Sequence, residues 1–164
     1  MADITPDRLK ALFRYDPETG EFSRLVSRGG WHKDRAAGRI NTDGYRRLGI
    51  DGKQYAAHSL AWLYMTGSLP EALVDHINGD RADNRWANLR LATYSQNLAN
   101  QKIKAANTSG FKGVSRIRAS GRWLASIKVH GKSYNLGSFR TPEEAHQAYC
   151  RAAEKAFGEY ARAA

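Results

Sequence analysis

The sequence predicts an α+β protein of two small domains, the second a three-stranded antiparallel sheet packed on one helix. Three observations carry this prediction. Two short runs, at residues 45–50 and 54–58, flank Asp51-Gly52, a pattern typical of a tight β-hairpin. Later in the chain, three short runs rich in β-branched and aromatic residues are separated by glycine-containing turns. A helix-start signal at Thr141-Pro142 then introduces small apolar residues at helical spacing.

Composition limits the possible functions. The chain has 164 residues, with 26 Lys and Arg against 16 Asp and Glu, for a formal charge of +10. Such an excess is typical of a protein that binds a polyanion, with a solvated basic surface as the alternative. Cys150 is the only cysteine, which excludes an internal disulfide and a cysteine-held zinc site. Without an apolar run that could span a bilayer or a recognisable signal peptide, we expect a cytoplasmic protein with no membrane partner.

The first domain is predicted over residues 1–104, with a core at 40–101 and an N-terminal extension at 1–39. In the extension we expect a helix at residues 7–14, a turn at 16–20 and a loop at 27–39. The core elements follow in order: strands at 45–50 and 54–58, a helix at 59–65, strands at 73–77 and 89–93 around a polar loop, and a helix from Ser95 to Gln101 capped by Thr93 or Ser95.

The second domain is predicted over residues 105–164, after a polar, small-residue linker at 100–110. Its elements are strands at 114–118, 123–129 and 133–136, then a helix that begins after Thr141 and stops at Gly158. Alternation along the second strand predicts two faces. Trp123, Ala125, Ile127 and Val129 should face the helix, and Leu124, Ser126 and Lys128 should face solvent or a bound polyanion.

The stretch from Asp75 to Asn97 carries the candidate chemistry. Hydrolysis of a phosphodiester needs a base for the attacking water and a cation near the phosphorus. His76 can be neutral at working pH, because an unperturbed histidine has a pKa of roughly 6.5. Asp75 and Asn97 offer oxygen ligands of the kind that magnesium or manganese prefers. Taken alone, a loop rich in Asn, Gly and Asp is more often a turn than a site.

Other polar residues near this stretch have weaker functional interpretations. Arg81, Arg85 and Arg90 are candidate phosphate contacts, with a solvated face as the alternative. His58 precedes the predicted helix at 59–65, where a packing or phosphate-contact role is favoured over catalysis.

Spacing adds specificity, since twelve positions separate His76 from Asn88 and nine separate Asn88 from Asn97. This pattern resembles the HNH endonuclease family, in the phage and intron homing-type variant whose motif ends in Asn. The resemblance covers roughly residues 40–101 and is carried by these runs: His58-Ser59-Leu60-Ala61-Trp62-Leu63-Tyr64, Asp75-His76-Ile77-Asn78-Gly79-Asp80, Asp83-Asn84-Arg85, Asn88-Leu89-Arg90 and Ser95-Gln96-Asn97.

The resemblance implies a ββα-metal fold and a role for each matched position. His76 would be the general base, and Asp75 and Asn97 would hold one Mg²⁺ or Mn²⁺ ion. Asn88 would pin the loop and orient His76. The reaction implied is hydrolysis of DNA to a 5′-phosphate and a 3′-hydroxyl.

The basic residues of the second domain are segregated from its acidic ones. All four acids of the last segment lie in or beyond the predicted helix. Between residues 107 and 140 there is no acid but there are seven bases: Lys112, Arg116, Arg118, Arg122, Lys128, Lys132 and Arg140. Such segregation makes one face of the sheet positive, as expected where a sheet lies against DNA.

Residues 108–160 resemble the Apetala-two/ethylene-response-factor DNA-binding domain. The matching runs are Gly113-Val114, Trp123-Leu124-Ala125-Ser126-Ile127, Leu136-Gly137-Ser138-Phe139 and 141–149. The resemblance implies a sheet in the DNA major groove, with these candidate contacts: Arg116, Arg118, Ser126, Lys128, Ser133 and Asn135. Asn135 stands where the plant pattern has Trp, so the sequence preference does not transfer.

Together these features predict a metal-dependent, phage homing-like endonuclease that binds double-stranded DNA and nicks it, as a monomer or weak dimer. We expect it in the cytoplasm of a phage-infected or prophage-carrying bacterium. Two alternatives stay open: a DNA-binding regulator built on an inactive nuclease scaffold, and a phage packaging or restriction nuclease.

Overall fold

The computed structural model of the protein describes residues 4–26, 34–103 and 106–162. It divides into two compact units, Met1–Leu91 and Ala92–Ala164. Both combine helices with antiparallel strands, which confirms the predicted α+β class. The predicted domain boundary at residues 104 and 105 lies outside the described residues, as do residues 27–33 of the predicted loop. Across the described ranges, no helix is long and apolar enough to cross a membrane.

The first unit opens with helix α1 (Pro6–Leu12) and a hairpin of strands β1 (Phe13–Asp16) and β2 (Glu21–Arg24). The helix predicted to reach Arg14 therefore ends two residues earlier. Phe13 is buried in the strand and meets the ring of Phe22 edge-on at 6.4 Å, so tertiary packing overrides its helical spacing. Only the turn of this hairpin was predicted.

A three-stranded sheet follows, with β4 (Arg46–Ile50) between β3 (Arg39–Ile40) and β5 (Lys53–Ala56). The predicted turn at Asp51 and Gly52 is confirmed, and both residues have positive φ, of 48° and 81°. Helix α2 (Ala57–Thr66) then buries its apolar residues against α1, the hairpin and this sheet, which forms the core of the unit.

Strands β6 (Leu73–His76) and β7 (Leu89–Ala92) pair with each other, as predicted. The loop between them ends in a single 3₁₀ turn over Trp86–Asn88. Because β6 ends at His76, the side chains of Asp75 and His76 lie at the point where the strand gives way to this polar loop.

The second unit contains helix α3 (Tyr94–Asn100), strands β8 (Val114–Arg116), β9 (Trp123–Val129) and β10 (Lys132–Phe139), and helix α4 (Pro142–Phe157). The three strands form an antiparallel sheet in the order β10, β9, β8, and α4 packs on one face through Ala145, Tyr149 and Ala153. The two capping boxes begin at Thr93 and Thr141, which fits both predicted helix starts.

Helix α3 packs within the second unit. Ala99 joins a buried cluster with Ile127 and Phe157, and the backbone N–H of His130 donates to Ser95 Oγ at 3.1 Å. Lys112 Nζ donates to the carbonyl oxygens of Ala99, Gln101 and Arg162. Lys112 therefore closes the C-terminal end of α3 and is not part of an exposed basic face.

Candidate active site

His76 is buried at the end of β6, with 4% of its surface exposed. Its Nε2 lies 3.2 Å from Oδ1 of Asn84, which is itself only 1% exposed. Nδ2 of the same Asn84 donates to the carbonyl of Ala82 at 2.9 Å, so the oxygen of the amide faces the histidine. An amide oxygen only accepts, which puts the proton of neutral His76 on Nε2 and its lone pair on Nδ1.

Two further rings surround this histidine. The imidazole of His58 stands perpendicular to that of His76, with ring centres 5.2 Å apart, and Tyr45 lies within 5.3 Å of the first and 6.0 Å of the second. Burial lowers the pKa of His76 below its usual value, and it is the main cause that lowers the pKa of His58 to about 4. Both imidazoles are therefore neutral near pH 7.

The sequence favoured a packing or phosphate-contact role for His58, and the structure places its ring beside that of the predicted base. Its Nδ1 is buried without a hydrogen-bond partner in the part of the chain that the structure describes. In the sequence, His58 stands out because it recurs in the family pattern. Its spacing from the other matched residues does not show that it lies beside His76.

Asp75 lies next to His76 on β6 and is also buried. Its Oδ2 accepts a hydrogen bond of 3.1 Å from Arg90 Nε, and the side chains of the pair are 5% and 11% exposed. Arg90 was a candidate phosphate contact in the sequence. The structure instead pairs it with the predicted metal ligand, so it orients that carboxylate.

Asn88 holds the loop between β6 and β7. Its Oδ1 accepts from the backbone N–H of Asn78 at 3.0 Å, and its Nδ2 donates to Oδ1 of Asn78 and to the carbonyl of Asp83. The backbone N–H of Ile77, directly after His76, donates to the carbonyl of Asn88 at 2.9 Å. Asn88 therefore braces the loop from inside, whereas direct contact with the imidazole comes from Asn84.

Asn97 lies half-buried on α3, in the second unit. Its side chain has no hydrogen-bond partner among the described residues, while its backbone N–H donates to Thr93. The donor types suit a hard divalent cation, since a carboxylate and a carboxamide both offer oxygen. Within the described residues there is no cluster of three or more His, Cys, Asp or Glu side chains.

The N-terminal hairpin supports the residue that contacts His76. The buried hydroxyl of Tyr15 donates to the carbonyl of Asn84 at 2.6 Å, and the backbone N–H of Trp86 donates to the carbonyl of Pro17. Gly20 has φ of +73°, and a Cβ at that position would lie 2.4 Å from the carbonyl carbon of Asn84. No role had been predicted for this extension. Its contacts fix the backbone on which Asn84 stands.

In the second unit, the pairing of the strands places the candidate DNA contacts on different faces of the sheet. Ser133 pairs with Lys128 and Asn135 with Ser126, so these four side chains share the face opposite α4. Arg116 instead pairs with Trp123, and its guanidinium lies 5.8 Å from that ring. Arg118 is exposed in the turn after β8. Of the six predicted DNA contacts, four therefore lie on the face opposite α4, Arg116 lies on the other face, and Arg118 lies in a turn.

Each of two parts of the chain matches a known protein family. Residues 55–99 match the family described as HNH endonuclease, and residues 109–159 match the AP2 domain. Protein 3.8 of Escherichia phage T7 is 32% identical over 105 residues, which cover 57% of this chain and 87% of the phage protein. The chain belongs to the HNH endonuclease family. The resemblances stated from the sequence are confirmed.

Two other relatives of this HNH family member are named as endonucleases. The uncharacterized HNH endonuclease L560 of Acanthamoeba polyphaga mimivirus is 34% identical over 111 residues, covering 67% of this chain and 57% of that protein. The DNA endonuclease I-HmuI of Bacillus phage SP01 is 32% identical over 85 residues, covering 48% and 49%. The chain thus spans about half the length of both.

Proposed function

We propose that this HNH family member hydrolyses phosphodiester bonds of double-stranded DNA, with His76 as the general base. The observation that carries the proposal is the buried imidazole of His76, held through Nε2 by Asn84 beside the carboxylate of Asp75. The name of the SP01 relative, a DNA endonuclease, supports DNA as the substrate.

In the proposed reaction, Nδ1 of His76 takes a proton from water, and the water oxygen attacks phosphorus. The bond from phosphorus to the 3′ oxygen breaks, and that oxygen leaves as the 3′-hydroxyl once protonated, while the phosphate stays on the 5′ end. Burial favours the neutral imidazole, which is the form that can accept the proton. The hydrogen bond to Asn84 keeps the accepting nitrogen in one orientation.

Asp75 and Asn97 would hold one Mg²⁺ or Mn²⁺ ion. When bound, such an ion supplies positive charge against the phosphate oxygens and the leaving oxygen. Arg90 fixes the carboxylate of Asp75 for that task through its Nε hydrogen bond. Asn88 acts through the backbone as a positioning residue, because it fixes the start of the loop after His76.

We propose that the AP2-like sheet, formed by β8, β9 and β10, binds duplex DNA. The proposed contacts are Lys128, Ser126, Ser133 and Asn135, together with Arg118 in the turn after β8. A small catalytic site has little surface for reading DNA, so a tethered binding domain raises its local concentration on the substrate. One catalytic histidine per chain favours nicking by a monomer or weak dimer, in a phage homing-like role.

The test uses supercoiled plasmid with Mg²⁺. The wild-type protein should convert it to the relaxed form, and His76→Ala should bind the DNA equally well without relaxing it. Equal relaxation by the variant would remove His76 from the chemistry. Binding without relaxation by the wild type, with either Mg²⁺ or Mn²⁺, would favour the regulator with an inactive scaffold.

A further inference from the structure

Two arginines on the β3–β4 edge of the first unit face each other across the ladder. Arg39 and Arg47 form a directly opposed cross-strand pair, and both are exposed. The Cβ atoms of opposed residues in an antiparallel pair lie about 5 Å apart, and like charges on directly opposed residues destabilise a sheet. Among the residues that the structure describes, neither arginine has a carboxylate within ion-pair distance.

Their face of the sheet is the one turned away from the core. Leu48 and Ile50 are buried on the other side, whereas Arg47, Gly49 and Gln54 are exposed. The pair therefore forms an accessible site of two guanidinium groups, with no carboxylate within ion-pair distance among the described residues. Such an arrangement suits an anionic ligand that supplies the missing charge.

This face lies near the predicted base. Arg47 lies opposite Ala56 in the β4–β5 ladder, and Ala56 comes directly before helix α2, which carries His58. His58 in turn stands 5.2 Å from His76, ring centre to ring centre. Arg81 lies over the ring of Tyr45 at 4.9 Å and donates to the carbonyl of Asp43.

Two of the three arginines that the sequence offers as candidate phosphate contacts are paired with carboxylates. Arg85 makes a two-pronged ion pair with Asp83, at 2.8 and 2.6 Å, and Arg90 pairs with Asp75. Arg39 and Arg47 have no such carboxylate partner among the residues that the structure describes.

We propose that Arg39 and Arg47 form a phosphate clamp that binds the sugar–phosphate backbone of duplex DNA next to His76. The inference rests on the proposed function, since the backbone is taken to be that of the substrate. A clamp of this kind reads no bases and holds DNA of any sequence equally. It makes the first unit a contributor to DNA binding in addition to the AP2-like sheet.

The test is the affinity of the full-length protein for a fluorescein-labelled duplex, measured by anisotropy in EDTA over a series of NaCl concentrations. The doubly substituted Arg39→Gln, Arg47→Gln protein should bind roughly 10-fold or more weakly than wild type. Its plot of log Kd against log salt should flatten by about one unit for each arginine removed, alike for unrelated sequences.

Two controls keep the result interpretable. Arg14→Gln removes an exposed arginine from strand β1 and should leave both affinity and slope unchanged. Arg39→Lys with Arg47→Lys keeps the charge and should restore most of the binding. Thermal unfolding should show that the double Gln protein is at least as stable as wild type, because a repulsive pair has been removed.

Equal affinity and salt slope for the double Gln protein and Arg14→Gln would overturn the clamp. Because EDTA prevents any metal-dependent cleavage, the result does not depend on catalysis. In Mg²⁺, the double Gln protein should need more DNA for half-maximal cleavage while its maximal single-turnover rate is retained. If the two arginines contribute to DNA binding but the protein never cleaves DNA, the nuclease proposal fails while the clamp proposal stands.

Discussion

The side-chain oxygen of Asn84 lies 3.2 Å from Nε2 of His76, and both residues are buried. This contact fixes which nitrogen of the imidazole carries the proton. It also links the proposed base to the N-terminal hairpin, because the backbone of Asn84 is held by Tyr15.

Asn84→Leu should slow DNA cleavage by roughly 10- to 100-fold, the range typical of a lost partner of a catalytic group. Leucine has a similar size but accepts no hydrogen bond, so both tautomers of His76 become available. Single-turnover cleavage of a labelled duplex measures the effect. The matched Asn84→Asp protein keeps an accepting oxygen and should lose less, with unchanged DNA affinity in both. A leucine variant as fast as wild type would show that this contact does not position the base.

Tyr15→Phe should destabilise the first unit by about 1–2 kcal/mol, since the buried carbonyl of Asn84 loses its donor. Urea unfolding followed by circular dichroism measures the loss. Tyr134→Phe is the control, because Tyr134 is 49% exposed and should change stability by less than about 0.5 kcal/mol. The idea that the hairpin braces Asn84 fails if the two variants are equally stable.

The stability of the protein should fall with acidification through His58. Burial, followed by His76 and Arg47, lowers its pKa from 6.5 to about 4 in the folded state. Between those values the unfolded chain binds the proton and the folded chain does not, so the free energy of unfolding decreases as the pH drops from 6.5 to 4. The contribution is on the order of 3 kcal/mol when complete.

His58→Gln should remove this part of the pH dependence, whatever its effect on stability at neutral pH. Urea unfolding at several pH values between 7 and 4.5 gives the slope for each protein. His130→Asn changes an exposed histidine and should keep the wild-type slope. Parallel curves for wild type and His58→Gln would contradict a half-buried, neutral His58.

The register of the second sheet predicts unequal roles for two of its cations. Lys128→Gln should weaken duplex binding and lower the salt slope by about one, because Lys128 lies on the face opposite α4 with Ser133. Arg116→Gln should have a smaller effect, since its guanidinium is turned toward Trp123. Anisotropy titrations of both variants measure this difference. The reverse order would mean that DNA meets the other face.

Elements with local signals could be predicted from the sequence. The Asp51-Gly52 hairpin, the Thr141-Pro142 helix start and strand β9 all depend on residues close together in the chain, and each is confirmed. The hairpin of β1 and β2 was missed because its strands are four residues long, and Phe13 also fits the helical stripe of α1.

The support of the site could not be predicted, because it depends on tertiary contacts. No local sequence pattern indicates that Arg90 pairs with Asp75 or that Asn84 faces His76, because 15 and 8 positions separate the partners. Lys112 has the composition of a surface cation, yet its ammonium meets three backbone carbonyls. Charge counting cannot separate such a cation from one that faces DNA.

The most direct test is the single-turnover cleavage rate of His76→Ala on a labelled duplex with Mg²⁺, at protein concentrations that saturate the DNA. If His76 is the general base, the rate should fall by roughly 10²- to 10⁴-fold with the same affinity for DNA. A variant that cleaves at nearly the wild-type rate would show that another group removes the proton from water.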